Sequence, residues 1–310
     1  MGGFYPFRLP MYYAQLLFPE FLLIVCGYLV CRFTDLNRSV WQQVDSLVYF
    51  FLFPVLLFHS VIRSPLDLRA ASSLIAAAVS LVALGIAASY SVARWPKVQS
   101  PDFVSTAQIG FRFNSFIALT VVDKLAGKEG LLLMAVVIGV CVPVCNIGAV
   151  WPMARNSGVG FGKALLRNPL IIATASGLLA NVLGASIPAW IEPSVTRIGQ
   201  ASLALGLLAA GAGMQVRGVF NTASRRVAGV GMLGIRHLAM PLFAWGLVRV
   251  FNLNPVQATV LLTYSALPTA SSSYVLATKM GFDGSFAAGL VTLSIALGAL
   301  SLPFALEFLR

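Results

Sequence analysis

The sequence predicts an all-α integral membrane protein of ten transmembrane helices, arranged as two inverted five-helix repeats. Three observations lead to this fold class: an apolar composition, ten apolar runs of membrane-spanning length, and a similarity between the two halves of the chain. Of the 310 residues, 58% are hydrophobic and 10% are charged, and the mean hydropathy is +0.87. Soluble domains carry about 25% charged residues, so this composition favours a lipid bilayer as the surrounding medium.

The net charge of +11 does not indicate a nucleic-acid partner. The basic residues are scattered singly between apolar runs, whereas a nucleic-acid interface gathers them on one polar face. The four cysteines lie within apolar runs, and no His or carboxylate joins them at metal-ligand spacing. We therefore expect no metal and no cofactor, and we interpret the cysteines as small apolar side chains: Cys26, Cys31, Cys141 and Cys145.

The apolar runs are numbered here as spans 1 to 10, and the segments between them are short and rich in turn and charge signals. The segments that follow odd-numbered spans carry eleven Lys and Arg residues, against eight on the opposite side. Because the more positive side faces the cytoplasm, both termini are expected outside a cell membrane. The spans are 12–32, 40–62, 68–94, 103–122, 130–153, 167–187, 195–216, 225–251, 255–279 and 284–308.

The two halves carry matching residues in the same order. The pairs Pro19 and Pro169, Arg94 and Arg249, and Ser115 and Ser273 are separated by 150, 155 and 158 positions. This steady offset predicts a first repeat at residues 1–156 and a second at 157–310, within a single membrane domain. Tandem repeats of five helices must insert upside down to each other, which is typical of secondary transporters.

Polar interruptions in spans 4 and 9 predict the binding site. Span 4 contains Gly-Phe-Arg-Phe-Asn-Ser at 110–115, and span 9 contains a proline within 265–273. A broken helix leaves backbone groups that are tolerated only beside a cavity or polar partners. Free N–H groups at the start of each second half-helix favour an anion, and a plain proline kink is the alternative. The predicted substrate-binding residues are Asn114, Ser115, Pro268, Thr269, Ser271 and Ser272.

Charged residues within the spans are the other candidates for function. Arg112 and Arg236 lie near mid-bilayer, where an arginine costs about 2.5–3.5 kcal/mol and must face protein or water. We expect both to make structural or gating ion pairs, or to bind C-terminal carbonyls, with substrate contact as the alternative. Asp45 and Glu20 are the candidate acids and also the candidate proton carriers. We interpret His237 as a hydrogen-bonded packing residue in preference to a proton relay.

A family resemblance rests on four motifs in order: FPVLLF at 53–58, FRFN at 111–114, RNP at 167–169 and ALP at 266–268. With these motifs the chain resembles the auxin efflux carrier family, which includes plant PIN-type carriers and bacterial malonate and malate permeases. Asn114 matches the family's asparagine in the fourth helix, and Pro268 matches its crossover proline in the ninth. Plant relatives have a proline at the crossover of the fourth helix, where this chain has Phe113 before the asparagine.

The resemblance implies an elevator-type carrier of a small organic anion, such as an auxin-like acid, malonate or malate, bound where helices 4 and 9 cross. It also implies a homodimer. A sodium-coupled carrier of the related bile-acid type and a non-transporting ligand sensor on the same fold are the alternatives. A membrane enzyme is not expected, because the sequence contains no metal motif and no catalytic triad. The expected partners are the organic anion and the lipid bilayer.

Overall fold

Helices account for the secondary structure of the residues that the structure describes, and no strand occurs among them. The computed structural model describes residues 8–63, 72–156, 169–213, 219–270, 272–307 and 309. In chain order the helices are α1 (Arg8–Phe33), α2 (Arg38–Ile62), α3 (Ser72–Arg94), α4 (Ser100–Thr106), α5 (Ser115–Asn156), α6 (Pro169–Val182), α7 (Glu192–Ala212), α8 (Ala223–Val250), α9 (Pro255–Ala266), α10 (Ser272–Lys279) and α11 (Gly284–Glu307).

The helices lie where the apolar runs predict them, with span 4 and span 9 each divided. Span 4 consists of α4, a 3₁₀ turn at Ala107–Gly110 and the beginning of α5, and span 9 consists of α9 and α10. Within α5 the chain bends at Gly127, which has φ 60° and ψ −155°. This backbone conformation favours glycine, and it separates the end of span 4 from span 5.

Five helices of the described chain are long and apolar enough to cross a membrane: α2, α3, residues Glu129–Arg155 of α5, α8 and α11. Large apolar side chains on their outer faces are exposed, including Phe50, Val230 and Leu300. Polar side chains such as Gln108 and Arg236 are fully buried instead. This distribution is the reverse of that in a soluble protein and suits a lipid environment.

Side-chain caps fix several helix starts. The Asn37 side chain accepts hydrogen bonds from the N–H groups of Ser39 and Val40 at the start of α2. Asn254 and Gln257 form a capping box at the start of α9, with Pro255 in the first turn. These residues satisfy N–H groups that the first helical turn leaves without partners, so the short polar connections determine where the helices begin.

The helices pack mainly as two groups. Helices α1, α2, α6 and α7 form the first group, and α3, α4, α5, α8, α9, α10 and α11 form the second. Small residues allow close approach in the first group, since a Cβ at Gly27 would overlap the Leu208 carbonyl and one at Gly211 would overlap that of Ile24. Fewer contacts join the two groups, mainly those of α1 with α11 and of α5 with α2 and α6.

An ion-pair cluster ties helix starts together in the second group. Arg225 in the first turn of α8 lies 2.5 Å from Asp283, just before α11, and 3.5 Å from Asp102 in α4. Ser224 donates a hydrogen bond to Asp102 at 2.5 Å, and the Arg225 guanidinium lies over the Phe286 ring. The cluster brings the segments after spans 3, 7 and 9 together.

Two π-helical turns distort long helices next to the predicted site. One occupies Val48–Leu52 in α2, and the other occupies Ile235–Ala239 in α8. A π turn inserts one residue and re-aims the neighbouring side chains, and such turns are frequent at functional sites. The first carries Tyr49, and the second carries Arg236 and His237.

Candidate functional site

The first interruption separates α4 from α5. The chain leaves the helical conformation after Gly110, and α5 begins at Ser115. The Asn114 side-chain oxygen accepts the Ile117 N–H at 3.2 Å and so caps α5. Phe113 is buried with its ring edge against Tyr264 of α9, at a centroid distance of 4.3 Å. An aromatic residue and a capping asparagine therefore maintain this break without a proline.

The second interruption separates α9 from α10. The helix ends at Ala266, and residues 267–270 are not helical. Pro268 removes one backbone donor and cannot continue a helix. Gly298 of α11 faces this proline, and a Cβ at position 298 would lie 2.5 Å from Pro268 Cγ. The close approach of α11 thus requires glycine and holds the proline in place.

The two interruptions contact each other through backbone atoms. The Asn114 N–H donates a hydrogen bond to the Pro268 carbonyl at 2.9 Å. A second bond runs from Gln108 Nε2 to the Ser273 carbonyl at 2.8 Å, so residues on both sides of each break participate. Backbone groups that a broken helix would leave without partners are satisfied across the crossing.

Arg236 binds the end of α9 and makes no ion pair among the described residues. Its guanidinium donates to the carbonyls of Leu267, Tyr264 and Ser265 at 2.7, 2.8 and 2.9 Å. A cation at these carbonyls complements the negative end of the helix dipole. Of the roles expected for Arg236, the structure therefore places it at C-terminal carbonyls, in a structural position.

His237 belongs to a hydrogen-bond network behind the second interruption. Its ring nitrogens lie 2.9 and 2.8 Å from the hydroxyls of Ser301 and Ser294 of α11. Ser301 donates to the Ala266 carbonyl at 2.8 Å, and Ser294 accepts the Thr269 N–H at 2.9 Å. The network therefore satisfies the Thr269 N–H and the last α9 carbonyl, which agrees with a packing role for His237.

A cavity lies beside the crossing, between the two groups of helices. The first group contributes residues of α2 and α7, and the second contributes the first interruption, α5 and α10. Most of the wall is apolar, with a few polar side chains. The lining residues are Val48, Tyr49, Phe53, Leu57, Arg112, Phe113, Asn114, Ser115, Val142, Cys145, Asn146, Ser202, Gly206, Leu207, Ala270, Ser272 and Val275.

Arg112 is the charged residue of this lining, and it is 4% exposed. Its Nη1 donates to Gln108 Oε1 at 2.8 Å, and its Nη2 donates to Asn146 Oδ1 at 3.0 Å. No carboxylate of the described residues pairs with it, and the side chain of Glu20, one of the two candidate acids, lies outside those residues. Neutral amides position the guanidinium and leave its charge without a counter-ion.

Two further polar atoms in the lining are buried without a hydrogen-bond partner in the part of the chain that the structure describes, Asn146 Nδ2 and Ser202 Oγ. Both residues are 2% exposed. Since Asn146 Oδ1 already accepts from Arg112, its NH₂ group is the part left to bind something else. Buried polar groups without partners are costly and uncommon, and here they lie in the cavity that contains the buried cation.

The cavity gathers part of the predicted site. Arg112, Asn114, Ser115 and Ser272 line it, whereas Pro268 and Thr269 do not. Arg236, His237 and Asp45 also lie outside its lining. Ser271 and the Glu20 side chain lie outside the described residues. Of the described predicted residues outside the lining, Pro268 and Thr269 belong to the second interruption, and Arg236 and His237 lie behind it. The two interruptions therefore differ in what they present to the cavity.

Asp45 joins the two helix groups. Its buried carboxylate accepts a hydrogen bond from the Tyr274 hydroxyl of α10, and Lys279 of α10 contacts the neighbouring Ser46. The acid predicted to pair with a buried arginine therefore binds a tyrosine instead. Its position in α2, opposite α10, makes it a contact between the groups and not a partner of Arg112.

Asn146 and Ser202 were missed by sequence reasoning. Asn146 is an amide within the apolar run 130–153, and an isolated polar residue at membrane depth is a recognisable functional signal. Ser202 carries no such signal, because serine is common in packed membrane helices. Only the packing of α7 against the crossing brings it to the cavity.

A comparison with protein families identifies a match for the second half of the chain. A family profile described as membrane transport protein matches residues 151–306, about half of the chain, including the second interruption and Ser202. A comparison with curated proteins finds no match. Together with the apolar helices, this match makes the chain a multi-pass membrane protein. The chain belongs to the membrane transport protein family, the auxin efflux carrier family, and is a membrane transporter.

Proposed function

We propose that this transporter is a secondary carrier of a small organic anion, which it binds in the cavity beside the crossing of the two interrupted helices. The observation that carries the proposal is the position of Arg112. A buried cation without a carboxylate partner among the described residues lines a cavity next to the Asn114–Pro268 hydrogen bond. Burying such a charge is unfavourable unless a counter-ion accompanies it, and a substrate anion supplies one.

The two helix groups support an elevator mechanism. The second group carries both interruptions, Arg112 and Asn146, whereas the first group contributes one apolar wall and Ser202. A movement of the second group against the first would carry the bound anion with it and expose the cavity alternately to the two sides. The proposed frame is ten transmembrane helices in two inverted repeats, 1–156 and 157–310, in the cell membrane with both termini outside.

Uptake into proteoliposomes tests the proposal directly. Labelled malonate, malate and indole acetate are offered to purified protein, with and without a pH gradient or a membrane potential. We expect saturable uptake of at least one of these anions. If none is transported under any gradient, the carrier proposal is wrong.

Asn114→Ala and Asn254→Ala form a matched pair for locating the site. Each substitution removes an N-terminal helix cap and costs about 1 kcal/mol of stability, but Asn114 lines the cavity and Asn254 does not. We expect Asn114→Ala to lower uptake at least about tenfold, equivalent to about 1.4 kcal/mol of binding energy, and Asn254→Ala to retain it. Equal uptake by the two variants would place the site elsewhere.

A further inference from the structure

The charge of the cavity indicates which anions it can hold. Among the described residues, its lining contains one charged side chain, Arg112, and no Asp, Glu, Lys or His. A single negative charge would therefore neutralise the cavity. The second carboxylate of a dianion would lie against neutral or apolar groups, where an unpaired charge is strongly disfavoured.

The polar atoms of the cavity define where a carboxylate would bind. The guanidinium has five N–H donors, and its described bonds to Gln108 and Asn146 use two of them. Because Asn146 Oδ1 accepts from the arginine, the unpartnered Asn146 Nδ2 is held beside the same guanidinium. A carboxylate has two oxygens, and both can accept hydrogen bonds from this pair.

The remaining wall indicates the shape of the substrate beyond its carboxylate. Apolar side chains of α2, α7 and α10 surround the rest of the space, among them Phe53, Leu57, Leu207 and Val275. These side chains favour a hydrocarbon or aromatic body through burial of apolar surface. Ser202 on α7 is a buried hydroxyl without a partner on this side.

We infer that the cavity selects a monocarboxylate with an apolar body over a dicarboxylate, with Arg112 neutralising the carboxylate and Asn146 orienting it. This inference rests on the proposed function and assigns its substrate class. It also gives Arg112 a role different from that of Arg236, which is occupied by three carbonyls.

Binding of acids matched in chain length tests the selectivity for monocarboxylates over dicarboxylates. Hexanoate and adipate have the same chain length, as do butyrate and succinate, and they differ by one carboxylate. Binding to purified wild-type protein is measured by isothermal titration calorimetry at pH 7. We expect each monocarboxylate to bind at least about tenfold more tightly than its dicarboxylate, since an unpaired buried charge costs more than 1.4 kcal/mol. Equal or tighter binding of the dicarboxylates overturns the inference while leaving an anion carrier intact.

Two variants test the assigned residues, and a third is a control. Arg112→Gln should lower hexanoate affinity at least about tenfold, because the variant loses the charge that strengthens the hydrogen bonds to the carboxylate. Arg94→Gln is the matched control, since Arg94 is exposed and outside this lining. Asn146→Asp places a carboxylate beside Arg112, which should neutralise it internally and abolish binding while the thermal unfolding temperature is maintained.

The outcomes separate the two proposals. Unchanged hexanoate affinity in folded Arg112→Gln or Asn146→Asp protein overturns the assignment of these residues. If Arg112→Gln does not fold, Asn146→Asp decides, because it retains the guanidinium. If the wild-type protein binds and transports none of the acids, the proposed function itself fails, and this inference fails with it.

Discussion

Each of the two interruptions is a non-helical segment within a span, but the residues that surround them differ. At the second break, Arg236 binds the carbonyls of Leu267 and of two α9 residues, and Ser294 accepts the Thr269 N–H. Of residues 267–270, Ala270 alone lines the cavity. At residues 111–114 the chain presents Arg112 and Asn114 to the cavity. Two arginines, each beside one break and each fully or almost fully buried, therefore have different surroundings.

A broken helix is therefore a candidate binding site only where the surrounding residues leave a charge and hydrogen-bonding groups at the cavity without partners. At the second break, α8 and α11 satisfy the last carbonyls of α9 and the Thr269 N–H. The Thr269 hydroxyl and Arg236 Nη1 have no partner among the described residues, but neither residue lines the cavity, so this break serves as a fixed support. The first break is capped by its own Asn114 and places a cation without a described carboxylate partner at the cavity. Substitutions of the two arginines should therefore affect different properties of the protein.

The largest expected effect on stability is that of Arg236→Met. It removes three donors from buried carbonyls, each worth about 1–3 kcal/mol when left without a partner, so we expect a loss of about 3–5 kcal/mol. Arg112→Met leaves the side-chain oxygens of Gln108 and Asn146 without a donor, but it also removes a buried charge that has no ion pair among the described residues. We therefore expect a smaller loss than for Arg236→Met. Thermal unfolding in detergent micelles measures both variants. Equal destabilisation would remove the distinction between the two arginines.

A smaller effect is expected where α11 supports the second break. A Cβ at position 298 meets Pro268, so Gly298→Ala should cost about 1–3 kcal/mol through overpacking. Gly246 in α8 is the matched control, because a Cβ there meets no atom within 4 Å. Gly246→Ala should gain up to about 1 kcal/mol from the higher helix propensity of alanine. Thermal unfolding again provides the comparison, and a neutral Gly298→Ala would show that the break does not depend on this contact.

Loss of one hydroxyl behind the second break should have a comparable or smaller cost. Ser301→Ala leaves the Ala266 carbonyl without its donor and His237 without one partner. We expect a destabilisation of about 1–2 kcal/mol and unchanged anion affinity, because Ser301 does not line the cavity. Calorimetric titration with hexanoate checks the second point, and a tenfold loss of affinity would show that the break is not only a support.

The smallest expected effect concerns Asp283, outside the membrane-spanning helices. Burial raises the pKa of its carboxyl, but hydrogen bonds from Phe286 and Ser285 and the nearby Arg225 outweigh it and lower the pKa below the ordinary value. A lowered folded-state pKa stabilises the protein above the unfolded value, about 3.9, and the contribution is lost as the pH falls through the folded pKa. Because the side chain is 30% exposed, the effect should be below about 1 kcal/mol.

Thermal unfolding between pH 7 and pH 3 measures this contribution. The wild-type protein should lose stability at the acidic end more steeply than Asp283→Asn, which cannot titrate at that position. Parallel curves for the two proteins would show that Asp283 does not contribute to the acid dependence.

Sequence reasoning located the helices and both interruptions because their signals are local. Apolar runs, capping asparagines and Pro268 act within a few residues of the features they determine. Both Asn114 and Thr269 were predicted to bind the substrate, and of the two only Asn114 lines the cavity. The difference arises from Ser294, Ser301 and Arg236, which are distant in sequence and meet the second break only through packing.

The partners of the charged residues depended on the same long-range packing. Asp45 is an acid near the start of a membrane span, and its sequence context is equally consistent with a bond to an arginine or to a tyrosine. The crossing of α10 over α2 selects Tyr274. Likewise, of the two amides that position Arg112, Gln108 is a neighbour in sequence, whereas Asn146 lies 34 residues away.

The most direct test of the central claim, that Arg112 holds a substrate anion in the cavity, is equilibrium binding of labelled hexanoate to wild-type protein and to Asn146→Asp. We expect saturable binding by the wild-type protein and none by the variant, whose added carboxylate occupies the Arg112 guanidinium. Both proteins should unfold at similar temperatures. Equal binding by the two proteins would contradict the claim, because the anion would then bind without the free charge of Arg112.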